Sequence, residues 1–252
     1  MKIKELLTVI GNVTARNNLP TAYVCGGAAR DFYINNLENI SDLDITNGES
    51  SIKELSFKVF QELNKTYNVI YKSHENNNTS IYIGSFKLDF SSNFIIPRID
   101  DKLKVRGIID PSNLQREMFS RDFYCNSLLL SLDFKQLIDI TGKGKHDLDT
   151  RIINTCLDPY LTFDSSHNRV VRALYLAAKL GCTLHPNIIR CLEQHPELMA
   201  NASMKSLTEK LQMALSYDKE KTIGYLDQLN LWKYVPPIAT LAEEQKKILI
   251  VT

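Results

Sequence analysis

Asp42 and Asp44 are the residues with the clearest chemical potential. They sit in Ser41-Asp42-Leu43-Asp44-Ile45, a polar–apolar alternation that predicts a strand, and residues two apart on a strand share a face. Two carboxylates on one rigid face suit Mg2+ held together with the phosphates of a substrate. Upstream, Tyr23-Val24-Cys25 is a short apolar run that meets Gly26-Gly27, and Ala28 to Ile34 reads as the first turns of a helix. A strand, two glycines and a helix start aim backbone N–H groups and a dipole at an anion. Glycine permits the approach because it has no Cβ to meet a phosphate. Arg30 stands where a guanidinium can grip the same anion with two hydrogen bonds.

Either half alone is a weak signal. A chain of ordinary composition carries about one D-x-D by chance, and this one has a second at Asp147-Leu148-Asp149. A lone Gly-Gly is more often a plain turn. In this order, on these elements, the two halves together favour a nucleotide site.

The surrounding pattern supplies elements to hold that site. Ile3, Leu6, Leu7, Ile10 and Val13 fall on one helical face and predict an amphipathic helix over 2–16. A second helix is expected over 52–65, capped by Ser50 or Ser51, with Leu55, Val59, Phe60 and Leu63 inward. Residues 68–72 read as a strand, 74–78 as a polar turn, and 79–83 with 86–90 as a hairpin around Gly84-Ser85. Residues 91–107 show no period and read as a loop whose Arg98, Lys102, Lys104 and Arg106 either face solvent or hold RNA phosphates by charge. Pro111 is expected to open a short helix, residues 121–130 a second helix or a turn into one, and 135–140 a last strand. Gly142 and Gly144 punctuate the chain, so the division is placed between 1–140 and 141–252. Asp147 and Asp149 then read as acids at a helix start rather than metal ligands. Helices follow near 164–180, 186–195, 204–216 and 218–229.

Four stretches carry a resemblance. Val24-Cys25-Gly26-Gly27-Ala28-Ala29-Arg30-Asp31 followed by Asp42-Leu43-Asp44 resembles the head of the class II tRNA nucleotidyltransferase and bacterial poly(A) polymerase family. Arg121-Asp122-Phe123-Tyr124-Cys125-Asn126-Ser127-Leu128 is similar to that family's R-R-D-F-T-x-N-A. Gly142 to Leu148 is similar to its G-x-x-D-L hinge, and Arg169-Val170-Val171-Arg172-Ala173 to its R-x-L-R-A neck helix. The resemblance implies an α+β fold: a nucleotidyltransferase head with a mixed or antiparallel sheet and helices on one side, then a helical neck and partial body. It implies a third metal-binding acid on the strand 86–90, which makes Asp89 the candidate; by residue type alone Asp89 reads as a solvent-facing edge acid. It also implies nucleotide contacts from Gly26, Gly27, Arg30, Asp31, Arg121, Asp122, Asn126, Arg169 and Arg172. The expected partners are RNA, specifically a tRNA 3′ end, with ATP and CTP, and the expected cofactor is Mg2+.

The sequence departs from the family pattern in places. Ser120 replaces the first arginine of the second motif and Tyr124 its threonine. Ser165 and Ser166 stand where the family's base-selecting E-D-x-x-R places acidic residues before Arg169, and Asp164 is out of register. Chemistry at the phosphates does not depend on that difference; base choice does. The implied reaction is addition or repair of CCA at tRNA ends, with poly(A)-type tailing as the alternative. A non-catalytic RNA- or nucleotide-binding protein with a decayed site is the rival from another class. A metal-dependent phosphohydrolase is disfavoured because no histidine cluster serves it.

Composition narrows the remaining classes. The net charge of +1 gives no global basic field, so nucleic-acid contact must use local patches. The N-terminal MKIKELLTVI is too polar and short to span a membrane. Five scattered cysteines without C-x-x-C read as reduced thiols of a cytosol-like compartment, and five histidines show no zinc spacing.

Overall fold

The computed structural model describes residues 3–36, 40–74, 78–92 and 96–235. Parts of the polar turn 74–78 and of the segment 91–107 lie outside these residues. Two compact units are present, 1–146 and 147–252.

The first unit is built on a sheet. Its strands are β1 (Tyr23–Cys25), β2 (Asp42–Thr46), β3 (Val69–Ser73), β4 (Thr79–Ile83), β5 (Phe86–Phe90), β6 (Leu129–Ser131) and β7 (Leu137–Ile138), in the order β3-β4-β5-β2-β1-β6-β7. All neighbours are antiparallel except β2 and β5, which run parallel. Alternation along β2 settles which face is which. Leu43 and Ile45 are buried, and with Val24, Ile81, Leu88 and Phe90 they form the core face. That face is covered by α1 (Ile3–Arg16) and α3 (Ile52–Leu63), whose apolar stripes Leu6, Leu7, Ile10 and Leu55, Val59, Leu63 are buried in turn. The opposite face carries Asp42, Asp44, Lys87 and Asp89.

α2 (Gly26–Tyr33) starts directly at the end of β1. α4 (Ile99–Val105) occupies the stretch expected to be a loop, tied down where Arg116 meets Asp100 at 2.7 Å. α5 (Asn113–Ser120) begins two residues after Pro111, not at it, because Ser112 and Gln115 form a capping box. It covers the β1–β6 end of the polar face: Met118 packs with Cys25 and Leu129. After it the chain makes a single 3-10 turn (Tyr124–Asn126) and enters β6 at Leu129, so of the helix or turn expected over 121–130 only that turn forms and the end of the stretch is strand. Ser51 precedes α3 but makes no capping bond.

α6 (Gly144–Asp149) spans the division between the units. Asp147 lies in the first turn of this short helix and is buried, and Asp149 is its last residue. The second unit is helical apart from a two-stranded parallel ladder of β8 (Ile152–Ile153) and β9 (Thr183–Leu184). Its helices are α7 (Pro159–Asp164), α8 (Asn168–Lys179), α9 (Pro186–Gln194), α10 (Met204–Tyr217) and α11 (Lys219–Gln228). α8 buries Val170, Val171, Leu174, Ala177 and Ala178 in one stripe. Among the described residues, no helix is long and apolar enough to cross a membrane.

Candidate active site

The site grows from the meeting of β1, α2, β2 and β5. Gly26 has φ +68, a conformation that favours glycine. A Cβ there would also collide with Asp44 Oδ2 and come to 3.2 Å from Arg121 Nη1. The glycine corner is thus the space into which the Asp44 carboxylate fits. Cys25, at the N-cap of α2, is extended and its side chain gives no cap.

Parallel pairing sets Asp42 opposite Lys87 and Asp44 opposite Asp89, at the strand spacing of about 4.8 Å. Asp44 and Asp89 line one cavity of about 340 Å3 with His74, Asn78, Ser80 and Lys87. Asp42 is on the same face at the exposed start of β2 and does not line that cavity. Asp89 is held from two sides: Ser80 Oγ donates to Oδ1 at 2.6 Å and Lys87 Nζ to Oδ2 at 2.5 Å. Burial alone would lower the Lys87 pKa; the hydrogen bond and charge of Asp89, with Tyr82 and Asp42 adding, raise it above its ordinary value.

Whether a metal ion fits can be judged from the donors. Three carboxylates on adjacent strands are hard oxygen ligands that suit Mg2+, and Gly26 keeps the volume beside Asp44 open. Yet among the described residues no three His, Cys, Asp or Glu are already gathered to hold an ion. Like charges on one face repel, and Asp89 is tied to Ser80 and Lys87. The donor set fits, therefore, without being preassembled.

A buried layer lies beside the carboxylates, between this face and α5. Arg121 Nη2 donates to Cys25 Sγ at 2.8 Å and to Glu117 Oε1 at 3.3 Å. Thr46 Oγ1, on the strand of the two aspartates, donates to Glu117 Oε2 at 2.5 Å. Burial pushes the Cys25 thiol well up, so it is a neutral group that donates to the Asp44 carbonyl at 3.5 Å. Burial also raises Glu117, against the pull of Arg121. Burial disfavours the Arg121 charge, but the carboxylates of Glu117 and Asp44 beside it outweigh that, so Arg121 stays charged. Spacing reasoning passed over Glu117, although its place four residues before Arg121 on a helix is the signal that pairs them.

Arg30 differs from the expectation of a guanidinium reaching for an anion. It is 4 % exposed, with Nε on Asp31 Oδ1 and Nη1 on Asn126 Oδ1, both at 2.7 Å. Asn126 donates onward to Asp122 Oδ1 at 3.1 Å, which also accepts the Phe123 N–H at 2.8 Å. A buried guanidinium must be paired, and this pairing fastens α2 to the 3-10 turn. Arg30, Asp31, Asp122 and Asn126 thus brace the glycine corner from behind. Gly27 lies against that brace, where a Cβ would meet Arg30 Nη2 at 3.4 Å.

Arg169 and Arg172 belong to the second unit. Arg169 is buried and donates to Ser165 Oγ at 3.0 Å and to the Thr162 carbonyl at 3.4 Å. Ser165 in turn donates to that carbonyl at 2.8 Å. Arg172 is exposed on α8.

Known proteins resemble this chain in sequence and in fold. The CCA-adding enzyme of Anoxybacillus flavithermus is 24% identical over 254 residues, covering 98% of this chain and 59% of its own. The CC-adding tRNA nucleotidyltransferase of Halalkalibacterium halodurans is 22% identical, covering 96% and 56%. Among solved structures, the Thermotoga maritima CCA-adding enzyme in complex with tRNA superposes with a TM-score of 0.72 at 21% identity, covering 91% of this chain and 51% of that one. The chain therefore spans between half and three fifths of the length of these relatives. The family model of the poly A polymerase head domain matches residues 22–154. That is more than half of the sequence and includes the glycine corner, both strands of carboxylates and the bracing residues, so the chain belongs to the poly A polymerase head-domain family.

Proposed function

We propose that this protein is a template-independent nucleotidyltransferase that adds or repairs CCA at tRNA 3′ ends, using CTP and ATP and releasing pyrophosphate. The observation that carries this reading is the pairing of Asp44 with Asp89 across β2 and β5, beside the glycine corner at the start of α2. Mg2+, held by Asp42, Asp44 and Asp89, would supply the positive charge that activates the RNA 3′-hydroxyl and offsets charge on the leaving oxygens. Gly26 and Gly27 offer backbone N–H groups to the triphosphate, and Gly26 clears room for Asp44. Arg121, charged and next to Gly26, adds a fixed positive end to the corner. Arg30, Asp31, Asp122 and Asn126 fix the angle between α2 and the 3-10 turn and so orient the nucleotide through the backbone. Five buried free thiols suit a reducing, cytosol-like compartment.

One observation favours a second reading, poly(A)-type tailing. Ser165, at a position where the family places an acidic residue, is committed to Arg169 and to the Thr162 carbonyl. No carboxylate at that position selects the base. Incubation with tRNA lacking its terminal nucleotides, separately with each labelled triphosphate, decides. CMP followed by AMP incorporation supports CCA addition, and CMP incorporation that stops supports a CC-adding activity. Long adenylate ladders support tailing. Tight RNA binding with no incorporation of any nucleotide overturns the catalytic reading.

A further inference from the structure

Lys87 lies at the centre of the carboxylate face. With Asp42 opposite Lys87 and Asp44 opposite Asp89, four charged side chains make a two-by-two array, three negative and one positive. Lys87 Nζ sits 2.5 Å from Asp89 Oδ2. The other oxygen accepts from Ser80 Oγ, which is backed by His74 Nε2 at 2.9 Å. Both oxygens of Asp89 thus have donors, and the pair faces the cavity that Asp44 lines. The Lys87 and Asp89 side chains are 36% and 32% exposed, so water and ions reach them. A divalent cation that takes Asp89 from this cavity meets an ammonium already on Oδ2. Two cations at contact distance on one oxygen repel strongly.

We infer that Lys87 is the resident counter-ion of this array: it neutralises the face without metal and must release Asp89 Oδ2 before a divalent ion binds there. The inference rests on Asp44 and Asp89 being metal ligands. Lys87 then raises the metal concentration needed to fill the site. Once released it stays tethered beside Asp42, on the face that a triphosphate approaches.

The test is Mn2+ titration of the full chain, with free Mn2+ followed by electron paramagnetic resonance. Wild type, Lys87→Met, Lys87→Arg and Asp44→Asn are compared, and each is also melted with and without Mn2+. Lys87→Met keeps the aliphatic stem and is expected to bind Mn2+ roughly two- to fivefold more tightly, the scale of one half-exposed ion pair. Lys87→Arg restores wild-type affinity. Without metal Lys87→Met melts below wild type, and Mn2+ raises its Tm by more. Equal or weaker binding by Lys87→Met, with binding still abolished by Asp44→Asn, overturns the counter-ion role and leaves the metal site standing. Mn2+ binding that Asp44→Asn does not weaken, or no binding by any variant, overturns the metal site and the counter-ion role together.

Discussion

At Gly26 the backbone and the chemistry claim the same volume. A side chain there is strained by the positive φ and displaces the Asp44 carboxylate. Gly26→Ala is therefore expected to cost about 1–3 kcal/mol of stability and to remove nucleotide transfer; urea denaturation and the labelled-nucleotide assay measure the two effects. Arg30→Ala removes the centre of a buried ion-pair network and is expected to cost roughly 3–5 kcal/mol. Arg30→Lys recovers little of that, because an ammonium cannot span Asp31 and Asn126 with a planar fork. Loss of activity at full stability would instead place Arg30 on the substrate. Glu117 gives a pH signature. Its pKa is raised above the ordinary 4.5, chiefly by burial. A carboxyl that holds its proton better in the fold loses stability as pH rises from its unfolded value through its folded one. The stability of wild type relative to Glu117→Gln should fall as pH is raised above 4.5. A rise over that range contradicts the burial argument.

Elements held together by strong local signals were legible, and those decided by tertiary contacts were not. The hairpin at 79–90 follows from two β-rich runs around a glycine, and the structure places both strands where alternation puts them. Period-2 logic likewise put Asp42 and Asp44 on one face, but it says nothing about which strand lies beside β2. The pairing with β5, and so the nearness of Asp89, came only from the family resemblance and the observed register. Leu128-Leu129-Leu130 is an apolar run without period, so it fits a helix or a strand equally; pairing with β1 makes it β6. α4 is seven residues long, too short to show a period, and Arg116 on α5 steadies its first turn through Asp100. The motif at 26–31 gave Arg30 a chemical type but not its burial. Only the structure shows it paired inward. Ser112 is a further element-scale check: its capping box starts α5, which carries Glu117 over Thr46. Ser112→Ala should lower stability by about 1 kcal/mol, read by thermal or urea unfolding, and should weaken transfer only through that loss.

Across the whole molecule, the head-domain match ends at residue 154, and the helical unit carries the rest. The residues that differ most from the family pattern, Ser165 and Ser166, lie in that second unit. The corner, the carboxylates and their brace all lie in the first. On the proposed reading, phosphoryl chemistry and base choice fall in separate units, and a change at 165–169 is expected to alter which nucleotide is added while leaving metal binding intact. Ser165→Asp tests this through the ratio of CMP to AMP incorporated, with Mn2+ affinity as the control. The central claim is that Asp44 and Asp89 support nucleotide transfer through a bound divalent ion. It is tested most directly by transfer of labelled CMP to tRNA lacking CCA, measured against Mg2+ concentration for wild type and Asp44→Asn at matched folding. Mg2+-dependent incorporation by wild type, lost by at least about a thousandfold in Asp44→Asn, is the predicted result. Incorporation that survives in Asp44→Asn with the same Mg2+ dependence would contradict it.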